Sequence, residues 1–271
     1  MKSLLIALSS CSLLLIGLIT GCGENPVASN SGTRSEPDPA AVQDTAGTVE
    51  GAGALIDLEM PATADQSPGK LFPVDEGQVS PAFVRFRSDL LDAIRRKDTA
   101  FVMQLVDRNS KISFGGEGGK NGFRIMWGLG SDYRASPLWD VLDQVLRLGG
   151  QFADTTQRVF IAPYVYAMWP DAYDAFTHGA ITGSRVRVRE KPGTEAAVLG
   201  ALTYDIVGYS GTRTPHADTI GSDAYPWYQV TLDDGRTGWV FGKYFRSPID
   251  FRAAFERAAD GWRLQFLVAG D

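Results

Sequence analysis

Residues 115–119 read Gly-Gly-Glu-Gly-Gly, and Lys120 follows. Free backbone N–H groups in such a turn can cradle an anion, so the first chemistry to consider is phosphate binding. The spacing argues against it. Three residues, not four, separate Gly115 from Gly119, and Asn121 stands where a phosphate loop has Ser or Thr. Glu117 also repels a phosphate. A tight turn is the plainer reading, with Glu117 and Lys120 as candidate polar contacts. Glu117 with Asp132 has the residue types of an acid/base pair for glycan cleavage, and a solvated face explains them equally. His178 and His216 are the two histidines. His216-Ala217-Asp218 offers two metal ligands, fewer than a transition-metal site needs. No Ser-His-Asp pattern stands at diagnostic spacing, although such triads are defined in space. Neither a metal nor a cofactor is expected.

The aromatic residues carry more. Tyr209, Trp227, Tyr228, Trp239 and Tyr244 fall in or beside short β-prone runs. Aromatic faces of this kind hold peptides or sugar rings. Strand alternation places Trp227 and Gln229 on one face, Tyr228 and Val230 on the other. Tyr209, Tyr228 and Tyr244 are the leading surface candidates. Trp239 reads first as structural and is kept among the binding candidates. Pro163-Tyr164, Trp169 and Tyr173 are a second aromatic group, read as core.

The elements that would position these residues fall into regions. Residues 22–79 are rich in Ala, Gly, Ser, Thr, Pro and Asp and show no sustained period. Such composition cannot bury enough surface to order itself. A flexible tether follows, with a reach of roughly 40 Å. Residues 55–60 are a weak exception, a short strand or a docking peptide. Residues 80–180 read as an α+β domain. Ser80-Pro81 is a cap followed by Pro at the first helical position. Phe83, Phe86, Leu90, Leu91 and Ile94 then recur at helical spacing. Asp98 caps a second helix carrying Phe101, Val102, Leu105 and Val106. Residues 111–114 and 123–127 are predicted strands. Ser136-Pro137 opens a third helix with Leu138, Val141, Leu142, Val145 and Leu146 on one face, stopped at Gly149-Gly150. Residues 158–168 are β-prone and interrupted by Pro163.

Residues 181–247 change rhythm. Five short runs, at 185–189, 198–202, 205–209, 227–232 and 238–241, alternate with Gly, Pro and Asp turns. Asp233-Asp234-Gly235 is a hairpin turn. These features predict a small all-β barrel. Residues 248–271 read as a hairpin around Asp260-Gly261. It is too small to stand alone, and it is expected to close the α+β domain across the barrel.

The beginning of the chain gives an address. Residues 1–21 hold Lys2, an apolar run from Leu4 to Ile19, and small residues before Cys22. This is the plan of a secretory signal. The alternative, a retained membrane span, is slightly short for the roughly 20 residues required. The other cysteine, Cys11, lies in the leader and leaves with it, so the mature chain has no thiol pair for a disulfide. The formal net charge is −6, and loss of Lys2 makes it more negative. That balance argues against nucleic acid, whose binding needs a basic face.

Two resemblances follow from these residues. Ile19-Thr20-Gly21-Cys22 resembles the lipobox of bacterial lipoproteins. It implies acylation of Cys22, a membrane anchor and, with Gly23 rather than Asp next, an outer-membrane address facing the periplasm in a diderm cell. The region 181–247 resembles the bacterial SH3 (SH3b) domain. The match lies in Val186-Arg187-Val188-Arg189 with Pro192, Val198-Leu199-Gly200 with Leu202, Trp227-Tyr228-Gln229-Val230, and Gly235-Arg236-Thr237-Gly238-Trp239-Val240. Arg187 stands where the family pattern has Asn, and residues 211–224 are an insertion. The resemblance implies a non-catalytic module, often one that targets peptidoglycan or an envelope protein. More faintly, the α+β region with the tail resembles the NTF2-like cone, a fold-level analogy without activity. The expectation is therefore an envelope lipoprotein that binds or scaffolds a wall or protein partner. The alternatives are an enzyme whose site lies in the α+β domain, acting on peptidoglycan, and an interaction protein whose barrel braces the rest.

Overall fold

The computed structural model describes residues 68–112 and 118–270. Cys22, Glu117 and most of the tether lie outside the described residues. Helix α1 (Pro81–Arg96) begins where Pro fixes the first φ, and it ends at Lys97 in the left-handed conformation. Its apolar face, Phe83, Phe86, Leu90, Leu91 and Ile94, is buried. Asp98 caps α2 (Thr99–Leu105) by accepting from the Phe101 N–H.

The chain then departs from the sequence expectation. A strand forms earlier than predicted, β1 (Val106–Lys111). The predicted strand at 123–127 is instead helix α3 (Gly119–Met126). Phe123 and Trp127 are both buried and sit one helical turn apart. Burial at i and i+4 is a helical period, and β-prone side chains alone misled the reading. Helix α4 (Leu138–Arg147) buries Leu138, Leu142, Val145 and Leu146 as its spacing predicts. Strands β2 (Gln151–Phe152) and β3 (Val159–Ala162) follow. At Pro163 the chain leaves the sheet and forms the short α5 (Tyr164–Ala167).

Nine strands make up the next stretch: β4 (His178–Ile181), β5 (Val186–Arg189), β6 (Val198–Leu202), β7 (Ile206–Gly208), β8 (Asp218–Ile220), β9 (Asp223–Tyr225), β10 (Trp227–Thr231), β11 (Thr237–Phe241) and β12 (Phe245–Arg246). Seven of them form one antiparallel sheet in the order β12-β4-β7-β10-β11-β5-β6. β8 and β9 are a separate hairpin inside the insertion. The barrel thus takes in residues 178–180, ahead of the expected boundary at 181.

The tail returns as β13 (Arg252–Ala258) and β14 (Gly261–Val268). The second sheet runs β1-β14-β13-β3-β2, with β1 parallel to β14 and the other pairs antiparallel. The last two strands in sequence are therefore central in space. Helices α1, α2, α3 and α4 contribute to the core over this sheet, where Phe83 has ring centroids 4.0 Å from Phe160 and 5.1 Å from Trp262.

Residues 70–79, expected as the end of the tether, belong to the folded body. Leu71 is buried and its N–H donates to the Tyr204 carbonyl. The Ile206 N–H donates to the Gly69 carbonyl. Asp75 makes a two-pronged pair with the buried Arg87, at 2.6 and 3.0 Å. Glu76 accepts from the Phe152 N–H at the edge strand β2. A separate core of Leu71, Leu148, Tyr164, Val165, Ala180 and Ile206 joins this segment, α5 and the barrel. None of the helices in the described residues is long and apolar enough to cross a membrane.

Candidate functional site

Register decides which aromatic side chains face solvent. Directly opposed residues of adjacent strands share a face. Tyr228 opposes Val240, and Val230 opposes Gly238. Val186, Val188, Val230 and Val240 are barrel core, so Tyr228 points inward. A Cβ on Gly238 would lie 2.4 Å from Val188 Cγ1, which places that glycine inside as well.

Tyr209 and Tyr228, expected as surface residues, are half-buried against Phe245, whose centroid is 4.8 Å from each ring. Arg213, Asp250 and Arg246 act electrostatically on the Tyr228 hydroxyl, and Arg213 also hydrogen-bonds it. Burial pushes both phenols above their ordinary range, Asp250 adds to this, and Arg213 opposes it. Arg246 in turn donates to the Phe251 carbonyl at 2.6 Å and reaches Gln144 of α4 at 3.5 Å. These rings therefore lie at the seam between barrel and α+β body. They brace it more than they offer an open platform.

Trp227 is also enclosed. Its Nε1–H donates to the Asp218 carboxylate at 3.1 Å, and its ring lies 5.5 Å from Phe241. The insertion covers it: Thr214 and Thr212 bond the β10 backbone, and Tyr225 packs edge-on to Phe241. Asp218 is thereby occupied as an acceptor, and His216 is exposed. His178 sits on β4 with its Nδ1 near Thr177 Oγ1 and the Asp174 carbonyl. Among the described residues no group of three His, Cys, Asp or Glu side chains is placed to hold a metal ion.

The outward row is different. Gln229, Trp239, Arg189 and Val198 oppose one another across β10, β11, β5 and β6. Trp239 is partly exposed and Val198 is 52% exposed. Arg189 in this row is buried, 8% exposed, and donates to the Ala196 carbonyl at 2.7 Å. Arg187, next on the same strand face, is exposed. Tyr244 lies elsewhere, in the turn after β11, 38% exposed with Lys243 over its ring at 5.7 Å. The four aromatic candidates thus separate into an inner pair, Tyr209 and Tyr228, and two outer sites, Trp239 and Tyr244.

A cleft of about 300 Å³ opens between β6, β7 and the 233–236 turn. Val188, Leu199, Leu202 and Leu232 line it, with Asp205, Asp233 and Asp234 at its rim. Asp205 is paired with Lys70 at 2.6 Å and Asp234 with Arg236 at 2.7 Å. Sequence reasoning missed this cleft, because it exists only where two strands distant along the sheet order come together.

In the α+β body, Lys120 is exposed at the start of α3, in an open hollow with Asp107, Arg108 and Asn109. Gly119 opens α3 at φ +72, and a Cβ there would lie 3.3 Å from the Arg108 Cα, so the position favours glycine. Among the described residues, Asp154 and Asp234 are the carboxyls with resolved shifts, both downward, through hydrogen bonds from Thr156 and Arg236 respectively. Both stay ionised at neutral pH, unlike a general acid, whose carboxyl is held high.

No curated protein and no solved structure matches the chain. One stretch does have a family: residues 184–246, the strands from β5 through β12, match the model of the bacterial SH3 domain, and the chain is therefore an α+β body carrying an SH3-like barrel.

Proposed function

We propose that this chain is a lipid-anchored cell-envelope protein whose barrel binds or scaffolds a cell-wall or protein partner without catalysis. The observation that carries the proposal is the bacterial SH3 match over residues 184–246. The outward Trp239 face supports it as a binding surface. The anchor rests on the leader and on Ile19-Thr20-Gly21-Cys22. Acyl chains on Cys22 hold the protein at the membrane, each buried CH₂ contributing about 0.8 kcal/mol. Gly23 favours the outer membrane of a diderm cell. The seam built by Tyr209, Tyr228 and Arg246 gives the barrel a bracing role alongside binding. The NTF2-like plan is kept for the α+β body alone, on its order of helices, strands and late hairpin, and brings no activity with it.

The test uses soluble residues 23–271 and purified peptidoglycan sacculi. Saturable co-sedimentation of folded protein supports wall binding. A folded protein that stays in the supernatant overturns the wall version. Release of soluble muropeptides from the same sacculi would overturn the non-catalytic reading and move attention to the α+β body. The anchor is tested separately in cells. Wild type is expected in the detergent phase and Cys22→Ala in the aqueous phase, and identical partitioning would sink the anchor.

A further inference from the structure

We infer that the outer face of β10-β11-β5-β6 is the contact surface, and that it recognises the free carboxylates of wall stem peptides. The inference rests on the wall-binding reading above and gives it a site and a ligand chemistry. The chain holds 32 acidic residues against 26 basic ones. Yet these four adjacent strands contain no Asp or Glu, and their charged members are Arg187 and Arg189. Arg187 is exposed because Val186 and Val188 on either side of it fill the core, whereas Arg189 is 8% exposed with its guanidinium bonded to the Ala196 carbonyl. Arg187 stands where the family pattern has Asn, so the positive charge is a feature of this chain.

The face also has the parts for a peptide bearing a carboxylate. An exposed guanidinium pairs with a carboxylate through two parallel N–H bonds. Trp239, opposite Arg189 and diagonal to Arg187, supplies a flat apolar surface, and Gln229, directly opposite Trp239, supplies amide donors and an acceptor. The Ala196 carbonyl pins Arg189 in the same row. Among the described residues β6 pairs only with β5, so the face runs on to a sheet edge at the exposed Val198. A small anion would need Arg187 alone. An extended stem peptide uses the cation, the ring and the open edge together.

The experiment measures co-sedimentation of soluble residues 23–271 with two preparations of sacculi, native and with carboxylates amidated by carbodiimide and ammonia. Wild type, Arg187→Glu, Trp239→Phe and the control Arg257→Glu, on the remote tail hairpin, are compared, with folding checked by circular dichroism. Arg187→Glu and amidation are each expected to weaken binding about tenfold or more, the size of one charge-assisted contact. Arg257→Glu is expected to bind as wild type. Wild-type affinity for native sacculi should fall as salt shortens the Debye length from about 10 Å to about 3 Å. Equal binding by Arg187→Glu, or equal binding to amidated sacculi, overturns this inference and leaves wall binding standing. An acidic protein as the true occupant would appear as that second result. Failure of wild type to bind native sacculi overturns the wall-binding reading itself, and the inference with it.

Discussion

Arg87 is 2% exposed on α1 and its charge is met by Asp75, which stands outside the helix. Removing one member of a buried pair leaves an uncompensated charge, at about 3–5 kcal/mol. Asp75→Ala is therefore expected to lower the urea midpoint strongly, and an unchanged midpoint would show that water replaces the carboxylate. Tyr164 presents the opposite case. Its hydroxyl is fully buried with no hydrogen-bond partner among the described residues, and burial pushes its phenol far up. Burial likewise raises Tyr209, Tyr225 and Tyr228 above the ordinary value of 10.0. A raised phenol keeps its proton in the fold after the unfolded chain has lost it. That stability is fully present below pH 10 and is lost as pH rises through the folded values. Alkaline unfolding should coincide with late tyrosinate absorbance at 295 nm. Tyr164→Phe removes an unpaired polar group, so it should leave neutral-pH stability unchanged or raised by about 1 kcal/mol and flatten the alkaline limb. A large loss would mean that the hydroxyl has a bonded role.

At the scale of elements, the tail hairpin sets the architecture. β13 and β14 lie in the middle of their sheet, and Phe255, Leu264 and Leu267 from them are buried in its core. A chain ended after Ser247 should lose the α+β body and show exposed apolar surface by dye binding. Retained native helix content would contradict that. Gly238 plays a smaller part in the barrel. An added methyl meets Val188 at 2.4 Å, so Gly238→Ala should cost about 1–3 kcal/mol in a denaturant titration. Much of this was legible in the chain. The faces of α1 and α4, the Asp98 cap and the five predicted barrel strands came from spacing and turn chemistry alone. α3 was not, because Phe123 to Trp127 is too short a window to separate a buried strand from a helix turn. Strand β4 was hidden because His-Gly-Ala-Ile is too short to show an alternating pattern and pairs with segments distant in sequence.

The whole molecule divides its charge unevenly. Of the 32 acidic residues eight precede residue 68, against two of the 26 basic residues, which leaves 24 of each sign in residues 68–271. The excess negative charge belongs to the N-terminal segment, and the folded body is neutral. A local exposed cation such as Arg187 can then operate on a body without opposing net charge, and its reach is set by the screening length of about 8 Å at physiological salt. Barrel and α+β body share the core of Leu71, Leu148, Tyr164, Val165, Ala180 and Ile206. They are expected to unfold in one transition by calorimetry, and two resolved transitions would separate them.

The sequence by itself determined the helical faces of α1 and α4 and the barrel strands that match the bacterial SH3 model. These are local patterns, carried by neighbours in the chain. The tertiary structure alone decided which aromatic residues are free. Tyr228 and Trp239 are equally β-prone, and alternation says only that neighbours diverge. The register between β10 and β11 turned Tyr228 into the core and Trp239 towards solvent. The placement of the tail inside the sheet, the seam around Tyr209 and the cleft beside β6 have the same origin. Each depends on contacts between residues far apart in sequence, which no local pattern encodes.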